Sequence, residues 1–177
     1  ALSTPQQLMA ALAAPAAERP FAVVNPGGEL FYGPAGVSAH DMLARIRTYV
    51  ADGGVWWETG GYSFYIYATP PPAKSAPGAA PEWQRVNLGP AGAAALGFRC
   101  ADYDVDAPAH ALVLTDAGRQ WFGGERAARL ASLTSGTQRA FTATCKPFSL
   151  ANAGGEPFVS AIRCGGVGWL WRLGGFR

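Results

Sequence analysis

Two short apolar runs, each ending in a glycine-rich turn and separated by an amphipathic stretch, constrain this chain most. The first is Phe21-Ala22-Val23-Val24, running into Asn25-Pro26-Gly27-Gly28. The second is Val55-Trp56-Trp57, breaking at Glu58-Thr59-Gly60-Gly61. Between them Met42, Leu43, Ile46, Tyr49 and Val50 recur at helical spacing. Ser38 opens that helix, Asp41 suits its positive end, and Gly53 and Gly54 close it. Strand, helix and strand with short connections predict parallel pairing and a right-handed crossover. Ligands of such sheets sit beyond the carboxyl ends of the strands, so the two glycine turns mark the expected site.

Other elements can be read around this unit. Thr4, Pro5 and Gln7 form a capping box for a helix over 4–14, which Pro15 and Pro20 close. Tyr62-Ser63-Phe64-Tyr65-Ile66-Tyr67 continues the chain after the second turn. The stretch 69–81 is a Pro/Ala-rich loop, and 89–97 is a short Ala-rich helix. Residues 98–110 are irregular and acidic. Ala111–Leu114 is apolar and precedes Thr115, a cap for a helix over Asp116–Phe122. A further helix is expected near 125–133, with Leu130 and Leu133 inward, and a strand at Phe141–Cys145. Phe158–Cys164 and Trp169–Leu173, joined by glycines, predict a C-terminal antiparallel hairpin. The fold class is therefore α/β: three-layer, flavodoxin-like, with a mostly parallel sheet, over a single domain spanning 1–177.

The composition removes several functions. Of 177 residues only 15% are charged and 49% are hydrophobic, too apolar for a disordered tail. Twelve Arg and two Lys give a net charge of +2 with no basic cluster, so nucleic acid is not an expected partner. No run of 18 apolar residues exists, and no membrane partner is expected. The chain begins Ala-Leu-Ser-Thr without Met, which predicts a processed or excised form and a secreted or periplasmic setting.

Cys100, Cys145 and Cys164 show no C-x-x-C spacing. They read as small buried residues, as one disulfide plus a free thiol, or as a catalytic thiolate, which needs a His. Asp102, Asp104 and Asp106 suggest a calcium loop, but the sixth and twelfth positions from Asp102 are Ala107 and Val113, where Gly and Glu are required. No metal or cofactor is expected.

The strings FAVVNPGGELF, MLARIRTYVADGGVWWETGGYSF and IRCGGVGWLWRLGGF together resemble the class I glutamine amidotransferase-like superfamily, in its trehalose-utilisation-protein-like branch. They cover about a third of the chain. In catalytic members one glycine turn supplies oxyanion-stabilising amides, a Cys at the next strand's elbow is the nucleophile, and a His and an acid follow. The first turn matches at Gly27 and Gly28. The elbow falls at Glu58–Gly61 and holds no Cys, and His110 is followed by Ala111 and Leu112 rather than the family's His-Pro-Glu. The resemblance thus implies a member without glutamine hydrolysis, since no thiolate is placed to attack an amide carbon.

Two roles stay open at the candidate site. Glu29 and Glu58, past neighbouring strand ends, either share acid/base work or hold the turns by bonding backbone amides, the simpler reading. Thr59 is a conceivable nucleophile with no visible base, and His110 is a conceivable partner through the Ala111–Leu114 strand. His40, at a helix start, reads as a surface residue. Tyr62, Phe64, Tyr65 and Tyr67 line a cleft or fill the core, while Trp83 and Trp121 sit beside loops. Rings with carboxylates suit stacking and hydrogen bonding to a sugar. The expected function is a ligand-binding or accessory module for a small molecule or carbohydrate, at Gly27, Gly28, Glu29, Glu58, Thr59, Gly60, Gly61 and Tyr62. The alternatives are a hydrolase using Glu58 or Thr59 with Glu29 or His110, and a structural domain partnered by other domains of a longer polypeptide.

Overall fold

A computed structural model describes residues 2–71, 82–100, 109–135, 141–143, 148–163 and 166–174, with 98–100 and 141–143 by backbone alone. The capping box forms as expected: Gln7 N–H donates to Thr4 Oγ1, Gln7 Oε1 accepts from Thr4 N–H, and helix α1 runs Pro5–Ala13. Strand β1 is Ala22–Asn25 and β2 is Leu30–Tyr32. Helix α2, Ala39–Ala51, starts at Ser38, whose side chain accepts from Asp41 N–H. Strands β3 (Val55–Thr59), β4 (Ile66–Thr69) and β5 (Gln84–Asn87) follow. Helix α3 is Pro90–Ala94, β6 is Phe98–Cys100 and β7 is Leu112–Leu114. Thr115 caps α4 (Asp116–Phe122), and α5 is Gly124–Ala131. The chain ends in β8 (Phe141–Ala143), β9 (Phe148–Ala153), β10 (Glu156–Ile162) and β11 (Trp169–Leu173).

The main sheet has the order β1-β3-β11-β10-β9-β7. It is mixed. β1, β3 and β11 run parallel, and from β11 to β7 the pairing is antiparallel, including the expected hairpin β10–β11. The parallel part is the half that carries both glycine turns, and α2 makes the predicted crossover between β1 and β3. A smaller sheet, β2-β4-β5, stands beside the β1 edge, and β6 pairs with β8.

Alternation along the strands divides the core. Trp56 lies in register with Leu170, and Leu170 with Ile162; all three are buried with α1 and α2 residues such as Leu12, Ile46 and Tyr49. The intervening Trp171 and Leu173 point the other way, onto Phe158, Leu150 and the α4–α5 pair. Each face of the sheet therefore has its own core.

Four strands were not legible as such, among them β6 (Phe98–Cys100), which opens the stretch read as irregular and pairs with β8. β2 is three residues, β5 is exposed along its whole length, and β9 lacks a clean alternation of buried and exposed positions. The aromatic run after the second turn becomes a strand only at Ile66. Phe64, buried, takes a left-handed backbone (φ 58°) just before it. Cys145 and Cys164, the 69–81 loop beyond Pro71, and the Asp102–Asp106 run lie outside the described residues. Among the described residues no three His, Cys, Asp or Glu gather into a metal-holding group, and no helix is long and apolar enough to cross a membrane.

Candidate functional site

The two glycine turns are neighbours on one rim. In-register pairing sets Asn25 opposite Glu58, so both turns leave adjacent parallel strands at the same level. Beyond them the backbones touch. A Cβ on Gly61 would lie 2.4 Å from Glu29 Cγ and 2.6 Å from Glu29 N, and one on Gly28 would lie 3.4 Å from Thr59 O. Gly28 and Gly61 both hold φ near +60°, a region side chains disfavour. Sequence reasoning thus located the rim, but the turns interlock instead of flanking a gap.

Strand β3 runs two residues further than its apolar run, and this relocates Glu58. Its side chain falls on the same face as Trp56, at 0% exposure. Trp56 Nε1–H donates to Glu58 Oε1 at 2.6 Å, and Asn25 Nδ2–H reaches Oε1 and Oε2 at 3.2 and 3.0 Å. Burial pushes the carboxyl from 4.5 up to about 8, while the Trp56 and Asn25 hydrogen bonds and the Arg172 charge pull it down by less. Arg172, next to Glu58 in register and itself buried, donates to Gly61 O at 2.7 Å and Ser63 Oγ at 3.4 Å. This buried polar layer ties β1, β3, β11 and the second turn together. Its sequence signal was the Arg in Trp-Leu-Trp-Arg-Leu, on the buried side with Leu170.

Thr59, Gly60 and Gly27 are committed to structure. Thr59 Oγ1–H donates to Asn25 O at 2.9 Å, and Gly60 N–H to Leu173 O at 2.7 Å. Gly27 N–H donates to Asn25 Oδ1 at 3.2 Å, so the amide that the resemblance assigned to an oxyanion already has an acceptor. Glu29 shares no hydrogen bond with Glu58 among the described residues. Tyr62 stacks on Tyr65 with ring centres 4.9 Å apart. His110 is displaced from its expected neighbourhood. It precedes β7, four strand positions from β3, roughly 19 Å or more at about 4.8 Å per strand. There its backbone pairs with Ser135, and its ring packs on Gly154. A general base must reach the reacting proton, and His110 cannot reach Glu58 or Thr59. His40 lies on the surface beside Asp41, as expected.

A cleft of about 520 Å³ opens next to the rim, between the β1 edge, the start of α1 and the small sheet. Asn25, Pro26 and Trp56 form part of its wall, with Ser3, Thr4, Phe31, Tyr32, Ala68, Trp83 and Arg85. It takes in none of Gly27–Glu29 or Glu58–Tyr62. Trp83 is 39% exposed and meets the Tyr32 ring edge-on at 5.5 Å. Asn25 and Trp56, which line the cleft, are the two donors that hold Glu58, so the sealed carboxylate underpins the wall without facing the ligand space. Trp121, 60% exposed, lies elsewhere, edge-on to Trp171 at 5.2 Å.

No family model matches the chain, and no curated protein matches it. Among solved structures it is similar to the β-galactosidase from Rahnella sp. R3, at 16% identity and TM-score 0.46, over 89% of this chain and 20% of that one. It is similar also to a catalytic mutant of Gan42B, a GH42 β-galactosidase from G. stearothermophilus, at 14% identity and TM-score 0.42, over 84% and 19%. The chain spans about a fifth of the length of these enzymes. Likenesses this distant do not bear on its activity.

Proposed function

We propose that this chain is a non-amidotransferase member of the glutamine amidotransferase-like group that acts as a ligand-binding or accessory module, built as a three-layer, flavodoxin-like domain, with carbohydrate as its ligand class. The site is the cleft beside the glycine rim. One observation carries this reading: the open space next to the strand ends is walled by exposed Trp83, by Tyr32 and by the Ser3 and Thr4 hydroxyls, whereas Glu58 is fully buried and Thr59 Oγ1 is bonded to Asn25 O. A space of this size is within the range that holds small ligands, about 300–1,000 Å³. The Trp83 ring offers a face for a pyranose, and the polar groups offer partners for its hydroxyls. The core on each face of the sheet supports the layered assignment, and the missing elbow thiol argues against glutamine hydrolysis. Titration calorimetry against a panel of oligosaccharides tests the reading: saturable heat without turnover is expected.

A further inference from the structure

Arg85 is the one charged side chain among the described residues of the cleft wall, and no carboxylate lines it. It makes no hydrogen bond or ion pair within the described residues. Its position follows from the strand. Arg85 pairs with Ala68 across β4 and β5, and Ala68 also faces the cleft. Trp83 stands two residues before it, so both side chains leave the same side of the extended chain. The cleft therefore joins a ring platform to a guanidinium with no charged partner of its own.

Resting on the binding role proposed above, we infer that the cleft selects acidic sugars, with a uronic-acid carboxylate on Arg85 and the pyranose ring against Trp83. A guanidinium suits a carboxylate because its planar N–H donors match the two oxygens. No Asp or Glu belongs to the described wall, and exposed Glu82, next to Trp83 in the chain, lies outside it. Because Arg85 is solvent-exposed, the preference is modest and weakens with salt.

The test uses tri-galacturonate and a neutral trisaccharide of the same linkage, titrated into the wild type and into R85Q, W83A and Q84A. The acidic trisaccharide is expected to bind about fivefold tighter at low salt. R85Q erases that difference while keeping neutral binding, W83A weakens both, and Q84A, on the other side of the strand, changes neither. Equal affinity for the two sugars, or a preference that survives in R85Q, overturns the inference and leaves the binding role standing. No heat from either sugar overturns both.

Discussion

The indole N–H of Trp56 donates to the carboxylate of Glu58 at 2.6 Å, two residues along one strand and on one buried face. Asn25 of the neighbouring strand completes the donor set. This geometry makes Glu58 a structural acid. Three N–H···O contacts hold it below the cleft wall, and no solvent reaches it.

That position gives folding a pH dependence. Glu58 titrates near 4.5 when unfolded and near 8 when folded. The folded state therefore binds the proton more tightly, and stability falls as pH rises between those values. The contribution is fully present below about 4.5 and gone above about 8. Glu58→Gln keeps the acceptor for Trp56 and removes the titration. The melting temperature of the wild type is expected to fall from pH 5 to pH 8 more steeply than that of E58Q; parallel profiles would contradict a titrating Glu58.

The interlocked rim predicts a large effect from one methyl group. Gly61→Ala places a Cβ against the Glu29 backbone at a left-handed φ, and should cost about 2 kcal/mol or more in urea unfolding. Gly124→Ala is the contrast: its Cβ meets nothing within 4 Å at an ordinary φ, and a change within about 0.5 kcal/mol, or a slight gain, is expected.

Thr4 has two duties, as N-cap of α1 and as part of the cleft wall. Thr4→Ala should lower stability by about 1 kcal/mol in chemical unfolding. Thr4→Ser keeps the cap oxygen and should recover most of that loss.

Much of the architecture was readable because local chemistry and tertiary packing agree. Thr4, Ser38 and Thr115 each cap the helix they announce, and the Met42–Val50 stripe faces the core. The rim was readable because Gly27-Gly28 and Gly60-Gly61 stop two strands that α2 brings side by side. The site itself was not. Glu58 looked like a turn residue because a charge after Val-Trp-Trp ends an apolar run, yet donors from Trp56 and Asn25 carry the strand through it. The alternation in Trp-Leu-Trp-Arg-Leu turns Arg172 to the buried side, but nothing local says that β11 lies against β3 and so joins it to Glu58. The cleft brings α1, β1 and β5 together, and β5 offers only Val86 as an apolar residue, so neither Trp83 nor Arg85 could be assigned to it from spacing.

The most direct test of a binding cleft without catalysis is titration calorimetry of the oligosaccharide panel into the wild type, E58Q and W83A, with the recovered sugars analysed for cleavage. The account predicts saturable heat with intact sugar in the wild type and E58Q, and loss of that heat in W83A. Cleaved sugar in the wild type that disappears in E58Q, or no binding by any member, would contradict it.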